Sequence, residues 1–171
     1  MIKRRAGIVF RLLDNSARAR QSMGMLFTSV TRLKLRSVRF LPFFAFHALR
    51  ATAEVRRASG FRGGSLLPDR RWAFWTMTAW DSQEAMRLYM TNGSHRAAMP
   101  HLIAWCDEAS VVHWEHAQDE LPSWPEADRR MRENGRPSKL RHPSPHHATL
   151  AYQAPRFAAA APLSPAERPK T

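Results

Sequence analysis

Residues 71–80 read RWAFWTMTAW, and residues 81–86 continue DSQEAM. The first stretch is dense in aromatic residues and threonine and holds neither glycine nor proline, which predicts a strand. Its even positions include Trp72, Phe74 and Trp80 and its odd positions Trp75 and Met77, so both faces are apolar. A sheet that turns one face to water alternates apolar and polar residues; this strand is therefore expected to be covered on both sides. In DSQEAM, Asp81 is placed to cap a helix and Glu84, three residues on, to reach back to it, the spacing of a capping box.

Working towards the N-terminus, residues 61–67 form a partner strand, joined to the first stretch across the turn signal Pro68-Asp69. Before it, Leu41, Phe44, Ala45, Ala48, Leu49, Thr52 and Val55 recur at helical spacing, with Pro42 suited to the first turn and Gly60 as a stop. Residues 26–35, LFTSVTRLKL, predict the first strand, with Phe27, Ser29, Thr31, Leu33 and Leu35 on one face. Towards the C-terminus the capped helix runs to about Met90 and is broken at Asn92-Gly93. Ser94 restarts it, and Pro100 is expected to open a final turn carrying Leu102, Ile103 and Trp105. Residues 109–116, with Val111, Val112 and Trp114, predict a last strand. The order is βαββαβ: an α+β, ferredoxin-like domain over residues 25–120, with a four-stranded antiparallel sheet and two helices on one face. The other face then carries large aromatics, and such a patch marks an association surface or a ligand site. A second subunit is expected to cover it; the C-terminal segment folding back is the competing reading.

The ends differ in character from this middle. The chain has 171 residues and a formal charge of +13. Residues 1–24 carry six basic side chains and one acidic, residues 25–124 twelve and nine, and residues 125–171 nine and four. A nucleic-acid-binding domain concentrates its basic residues within the folded part, so nucleic acid is not an expected partner. Residues 1–24 read as a basic arm, disordered or, since Met23 and Met25 directly precede the first strand, outside the translated chain. Residues 121–171 form a proline-rich basic extension in which Trp124 pins a short helix over residues 126–132, with mostly disordered chain after about residue 147. The longest apolar run, residues 40–49, is too short to span a membrane. Cys106 is the single cysteine, which excludes an internal disulfide and a thiolate metal cage and points to the cytoplasm.

The segments VTRLKLRSVRFLPFF, ASGFRGG and FWTMTAWDSQEAMRLYMTNGSHRAAMP resemble the dimeric α/β-barrel superfamily. Within it they are most similar to DUF3291 and antibiotic-biosynthesis-monooxygenase-like proteins, with a fainter likeness to spheroidene monooxygenase. The likeness covers roughly residues 25–116, and its most specific stretch is the strand ending at Trp80 followed by SQEAM and GSHR. The resemblance implies a homodimer with its sheets face to face and an apolar pocket between each sheet and its own helices. It leaves several functions open: cofactor-independent oxygenation of aromatic polyketides, haem degradation, haem binding, or no known reaction. His95 and His101 lie in the region where the haem-degrading branch carries an axial histidine.

His95, after the helix break, is the first candidate for a catalytic base or a haem ligand, because a neutral imidazole accepts a proton or binds iron near pH 7. Arg96 beside it suits a carboxylate or phenolate. Trp75 and Trp80 would form flat walls, complemented by Phe44, Met77, Met86, Tyr89 and Met99; the same residues serve equally as plain core. His113 and His116 stand three apart on a strand, point to opposite faces and do not share one ion. His142, His146 and His147 lie in the proline-rich extension without a rigid frame, and Cys106 has no activating partner. No metal is expected. The leading expectation is a monooxygenase-like homodimer holding an apolar aromatic or polyene molecule within each subunit, without cofactor or with haem. A non-catalytic haem or hydrophobic-ligand carrier is the alternative.

Overall fold

The computed structural model describes residues 25–117 and 120–166. The arm expected over residues 1–24 lies outside the described residues. The elements are β1 (Met25–Leu35), α1 (Leu41–Val55), β2 (Phe61–Asp69), β3 (Ala73–Trp80), α2 (Gln83–Met90), α3 (Gly93–Trp105), β4 (Cys106–Ala117), α4 (Trp124–Asn134), β5 (Arg136–Pro137) and β6 (Ala161–Leu163). The sheet order is β5-β4-β1-β3-β2-β6 and every pairing is antiparallel. The central four strands follow the ferredoxin-like order, and the sheet has six strands where four were expected. Both additions come from the C-terminal extension, and each covers part of an outer strand: β5 pairs with Ser110 and Val111, β6 with Gly64, Ser65 and Leu66.

Register assigns the faces. Phe27 pairs with Trp80, Thr31 with Thr76 and Leu33 with Phe74, and across β4 Ser29 meets His113 and Thr31 meets Val111. Helices α1, α2 and α3 lie on this side: the Phe44 and Phe74 rings are 4.5 Å apart, and Tyr89 sits 5.4 Å from Trp80. The reverse face presents Val30, Met77, Trp75, Val112 and Trp114. Trp124, Ala127 and Met131 of α4 are packed into that cluster, with Leu121 and Tyr152 at its margin. The double coverage read from β3 is thus supplied by the protein's own C-terminal segment, and the surface assigned to a second subunit is occupied. The physical reason is proximity: a covalently attached amphipathic helix reaches the patch without the entropic cost of association.

The extension is held along its length. Ser123 caps α4 by accepting from the Glu126 amide. Ser138 N donates to Ala109 O at 2.8 Å, and His147 accepts from the Ala109 amide at Nδ1 while Nε2–H donates to Ser138 O at 2.8 Å. Tyr152 then crosses the sheet, its ring 5.5 Å from Trp75 and 4.4 Å from the Arg32 guanidinium. Arg32, buried on this face, donates to Glu108 Oε2 at 2.6 Å, and Lys34 holds Glu108 Oε1 at 3.0 Å. Beyond residue 147, where disorder was expected, regular structure is sparse, but β6 pairs Leu163 with Gly64.

Three local expectations are corrected. Pro68 and Asp69 are the last paired residues of β2, and the chain reverses through the three that follow, Arg70–Trp72, where Arg71 (φ 55°) and Trp72 (φ 62°) are left-handed. Trp72 is therefore a turn residue, 43% exposed, and not part of the strand. The cap of α2 is Ser82, whose side chain accepts from Ala85 N; Asp81 instead pairs with Arg62. Pro100 lies inside α3 and does not begin a new turn; the amide it lacks leaves one carbonyl of the preceding turn unpaired, which an exposed helix surface satisfies with water.

Candidate functional site

The two faces of the sheet are buried to different degrees. On the α4 side Val30, Trp75, Met77 and Val112 are no more than 3% exposed. On the helix side, at the centre of the same strands, Thr31, Leu33, Phe74, Thr76, Thr78 and Val111 are all only half-buried. A floor with three threonines and apolar margins thus keeps partial solvent exposure although α1 and α2 pack against its ends. It is bounded by Phe44 above Phe74 and by Tyr89 against Trp80.

Helix placement on this side depends on one carboxylate. Glu54, near the end of α1, accepts from Ser94 N at 2.7 Å and from Ser94 Oγ at 2.5 Å. A carboxylate at a helix N-terminus satisfies free amides and is favoured by the helix dipole; these bonds hold the Glu54 carboxyl below its ordinary value. Gly93 adopts φ +55°, and a Cβ there would overlap the Glu54 carboxylate, so a side chain at this position is strained and displaces Glu54. The Asn92-Gly93 break is therefore the joint that brings α3 to α1. Tyr89 adds a second tie, its hydroxyl donating to Ala51 O at 3.0 Å. Burial, with a smaller push from the Glu54 charge, raises the Tyr89 phenol to about 12.

His95 follows immediately. Its Nδ1 lies 3.2 Å from Met90 O and its ring 5.3 Å from Tyr89. A carbonyl only accepts, so Nδ1 carries the proton and Nε2 keeps a lone pair. Burial lowers the pKa of His95, partly opposed by the Met90 carbonyl, which keeps the imidazole neutral at pH 7.

The residues singled out in the sequence divide into groups. Phe44 and Tyr89 lie on the helix side at the margins of the floor, and His95 stands beside Tyr89. Trp80 and Met86 are on the same side but sealed in a core cluster with Phe27, Val55, Phe61 and Leu163. Met99 is 38% exposed and Arg96 is exposed on α3. Trp75 and Met77 occupy the opposite face under α4, so the structure separates them from the others. His101 is exposed and stacks on Trp105 at 5.0 Å, with His47 at 5.2 Å. Cys106 is fully buried, and burial together with Asp107 raises its thiol to about 12.

The sequence reading underweighted His113, considered there only as a metal ligand. It faces the helix side beside Phe27 at 5.6 Å, and its buried Nε2 has no hydrogen-bond partner. Burial first, then Arg136 and Arg87, lowers its pKa. The period of β4 was the available signal, because it puts His113 on the face of Val111. Among the described residues no group of three histidine, cysteine or acidic side chains is arranged to hold a metal ion, and no helix is long and apolar enough to cross a membrane.

Fold and site together define an α+β protein with a ferredoxin-like core, a partly open helix-side floor and a self-covered reverse face. No family model matches the chain and no curated protein matches it. Among solved structures it is similar to PA3566 from Pseudomonas aeruginosa, with 12% identity, TM-score 0.49, and 55% of this chain and 96% of that one covered. A putative antibiotic biosynthesis monooxygenase from Nitrosomonas europaea shows 9% identity and TM-score 0.46 over 53% of this chain and 89% of its own. A mutant of SnoaB, a cofactor-independent oxygenase from Streptomyces nogalater, shows 18% identity and TM-score 0.43 over 56% and 94%.

Proposed function

We propose that the helix-side floor holds a flat apolar compound, aromatic or polyene, and that the protein is monooxygenase-like, with His95 as general base. The observation that supports this is the unequal burial of the two faces: side chains at the sheet centre under the helices are only half-buried, whereas Val30, Trp75, Met77 and Val112 on the α4 side are no more than 3% exposed. The floor is built from one chain, so the reading needs no second subunit, and the homodimer implied by family resemblance would have to form elsewhere than on the α4 face. The single, buried Cys106 supports a reducing compartment, and we place the protein in the cytoplasm.

In this reading His95 Nε2 takes a proton from an acidic methylene or phenol of the bound compound, with Nδ1–H fixed on Met90 O. The resulting electron-rich anion reacts with dioxygen. A methylene flanked by rings becomes a carbonyl, one oxygen atom entering the product and the other leaving as water; the compound supplies all four electrons, so no external reductant is needed. Tyr89 stays a neutral phenol and serves as a wall.

The test is oxygen uptake with an anthrone, a three-ring compound with an acidic methylene, followed by mass analysis of the product. Uptake that falls at least about 100-fold in His95→Gln supports the base assignment. Absence of both binding and uptake in the unmodified protein defeats the reading. One observation favours a second reading, haem carriage: an imidazole whose Nδ1–H is held by a carbonyl has the orientation of a metal-bound histidine. Of the side chains present, His95 would hold the haem iron through Nε2, and sealed Cys106 does not fit that role. A Soret band on titration with hemin, lost in His95→Ala, would establish that alternative.

A further inference from the structure

Helix α1 is apolar on both sides. Phe44, Ala48, Ala51 and Val55 face inward, with Val55 buried and the others half-buried. On the opposite side Phe43 is 60% exposed, Phe46 56% and Leu49 72%, and Val38 just before the helix is 53% exposed. Single exposed apolar residues are ordinary, but large ones aligned along one helix are not. A helix with large apolar side chains on its solvent side as well as its core side has a surface suited to a second apolar phase.

The charges around this stripe are of one sign. Arg39, Arg50 and Arg57 are exposed beside it, and the Arg50 guanidinium lies 5.6 Å from the Phe46 ring. The one acidic residue of α1, Glu54, has its carboxylate engaged by Ser94. On neighbouring α3, Arg96 and Met99 are exposed and no acidic residue is present. Two such faces brought together would oppose arginine to arginine, which disfavours a second copy of this chain as occupant. A basic border around exposed phenylalanine and leucine is the pattern of a surface that lies in the headgroup region of an anionic bilayer, rings inserted and guanidinium groups on phosphates.

We propose that the outer face of α1 docks on anionic lipid surfaces through Phe43, Phe46 and Leu49, with Arg39, Arg50 and Arg57 contacting headgroup phosphates. It is independent of the helix-side floor. The docking residues are solvent-exposed, so their replacement leaves the core intact.

The test is co-sedimentation of the full chain with vesicles of equal parts phosphatidylcholine and phosphatidylglycerol, and with vesicles of phosphatidylcholine alone. The expected result is binding to the anionic vesicles only, weakened by salt, and reduced at least about tenfold in Phe46→Ser with Leu49→Ser. Arg50→Glu is expected to weaken it as well. Retention of full binding in the double variant overturns the proposal, because the charge of residues 1–24 would then suffice. Failure of the unmodified protein to bind anionic vesicles overturns it in favour of an acidic protein partner. Concentration-dependent dimerisation in sedimentation velocity, lost in the double variant, overturns it in favour of a second copy.

Discussion

Replacement of Met131 by alanine tests whether α4 is part of the core. Met131 is fully buried between α4 and the reverse face of the sheet, in the cluster of Trp75, Met77 and Trp114. The space is tight: a Cβ on Gly135 would come within 2.9 Å of the Met131 sulfur. Deleting a buried methionine side chain costs about 2–5 kcal/mol, and a site bounded by a sheet and two tryptophans collapses poorly, so about 3–5 kcal/mol is expected. For a domain of this size each kcal/mol moves the Tm by about 2–4 °C, giving a fall of about 6–20 °C. The assay is urea unfolding followed by tryptophan fluorescence and circular dichroism, with the slope unchanged. Phe46→Ala, which removes a larger side chain at a site 56% exposed, is the control and should stay within about 0.5 kcal/mol of the unmodified protein. If Met131→Ala behaves like that control, α4 does not pack on the sheet, and the account of the covered face fails.

Two further outcomes follow from the buried charges. Glu108→Ala leaves Arg32, 7% exposed, without its 2.6 Å partner and should cost about 3–5 kcal/mol. Replacing both, as Arg32→Met with Glu108→Leu, should cost less than the single change; equal or greater loss in urea unfolding would count against the pair being desolvated. His95 and His113 both titrate below the ordinary histidine value of 6.5, because burial disfavours their charged forms. The unfolded chain therefore binds these protons first as pH falls, and stability should decline from pH 7 through 6.5 towards the depressed folded values. Tm measured against pH should show that slope, and His95→Gln with His113→Gln should flatten it; an unaltered slope would remove both residues from the explanation.

Much of the fold was legible locally. Alternation in residues 26–35 and the helical spacing from Leu41 to Val55 located β1 and α1 closely, since a period of 2 or 3.6 is a property of neighbouring residues. The short helix over residues 126–132, pinned by Trp124, was likewise expected, and it runs from Trp124 to Asn134 with Ser123 as its cap. The left-handed turn at Arg71 and Trp72 was not, because neither residue type favours that conformation and only the strand register imposes it. At the candidate site, the Asn92-Gly93 break was legible, whereas the tie of α3 to α1 through Glu54 and Ser94 spans 40 residues and left no local mark.

The sequence by itself determined the order of the four central strands and of the helices between them, and it gave β3 two apolar faces. Periodicity encodes which side of an element is apolar, but not what lies against it. That was decided by tertiary contacts between distant residues: Tyr152 against Trp75, Leu163 beside Gly64, Met131 in the reverse-face cluster. An extension whose prolines suppress regular structure still reaches the sheet, because burying its few large apolar side chains offsets the cost of ordering the chain between them.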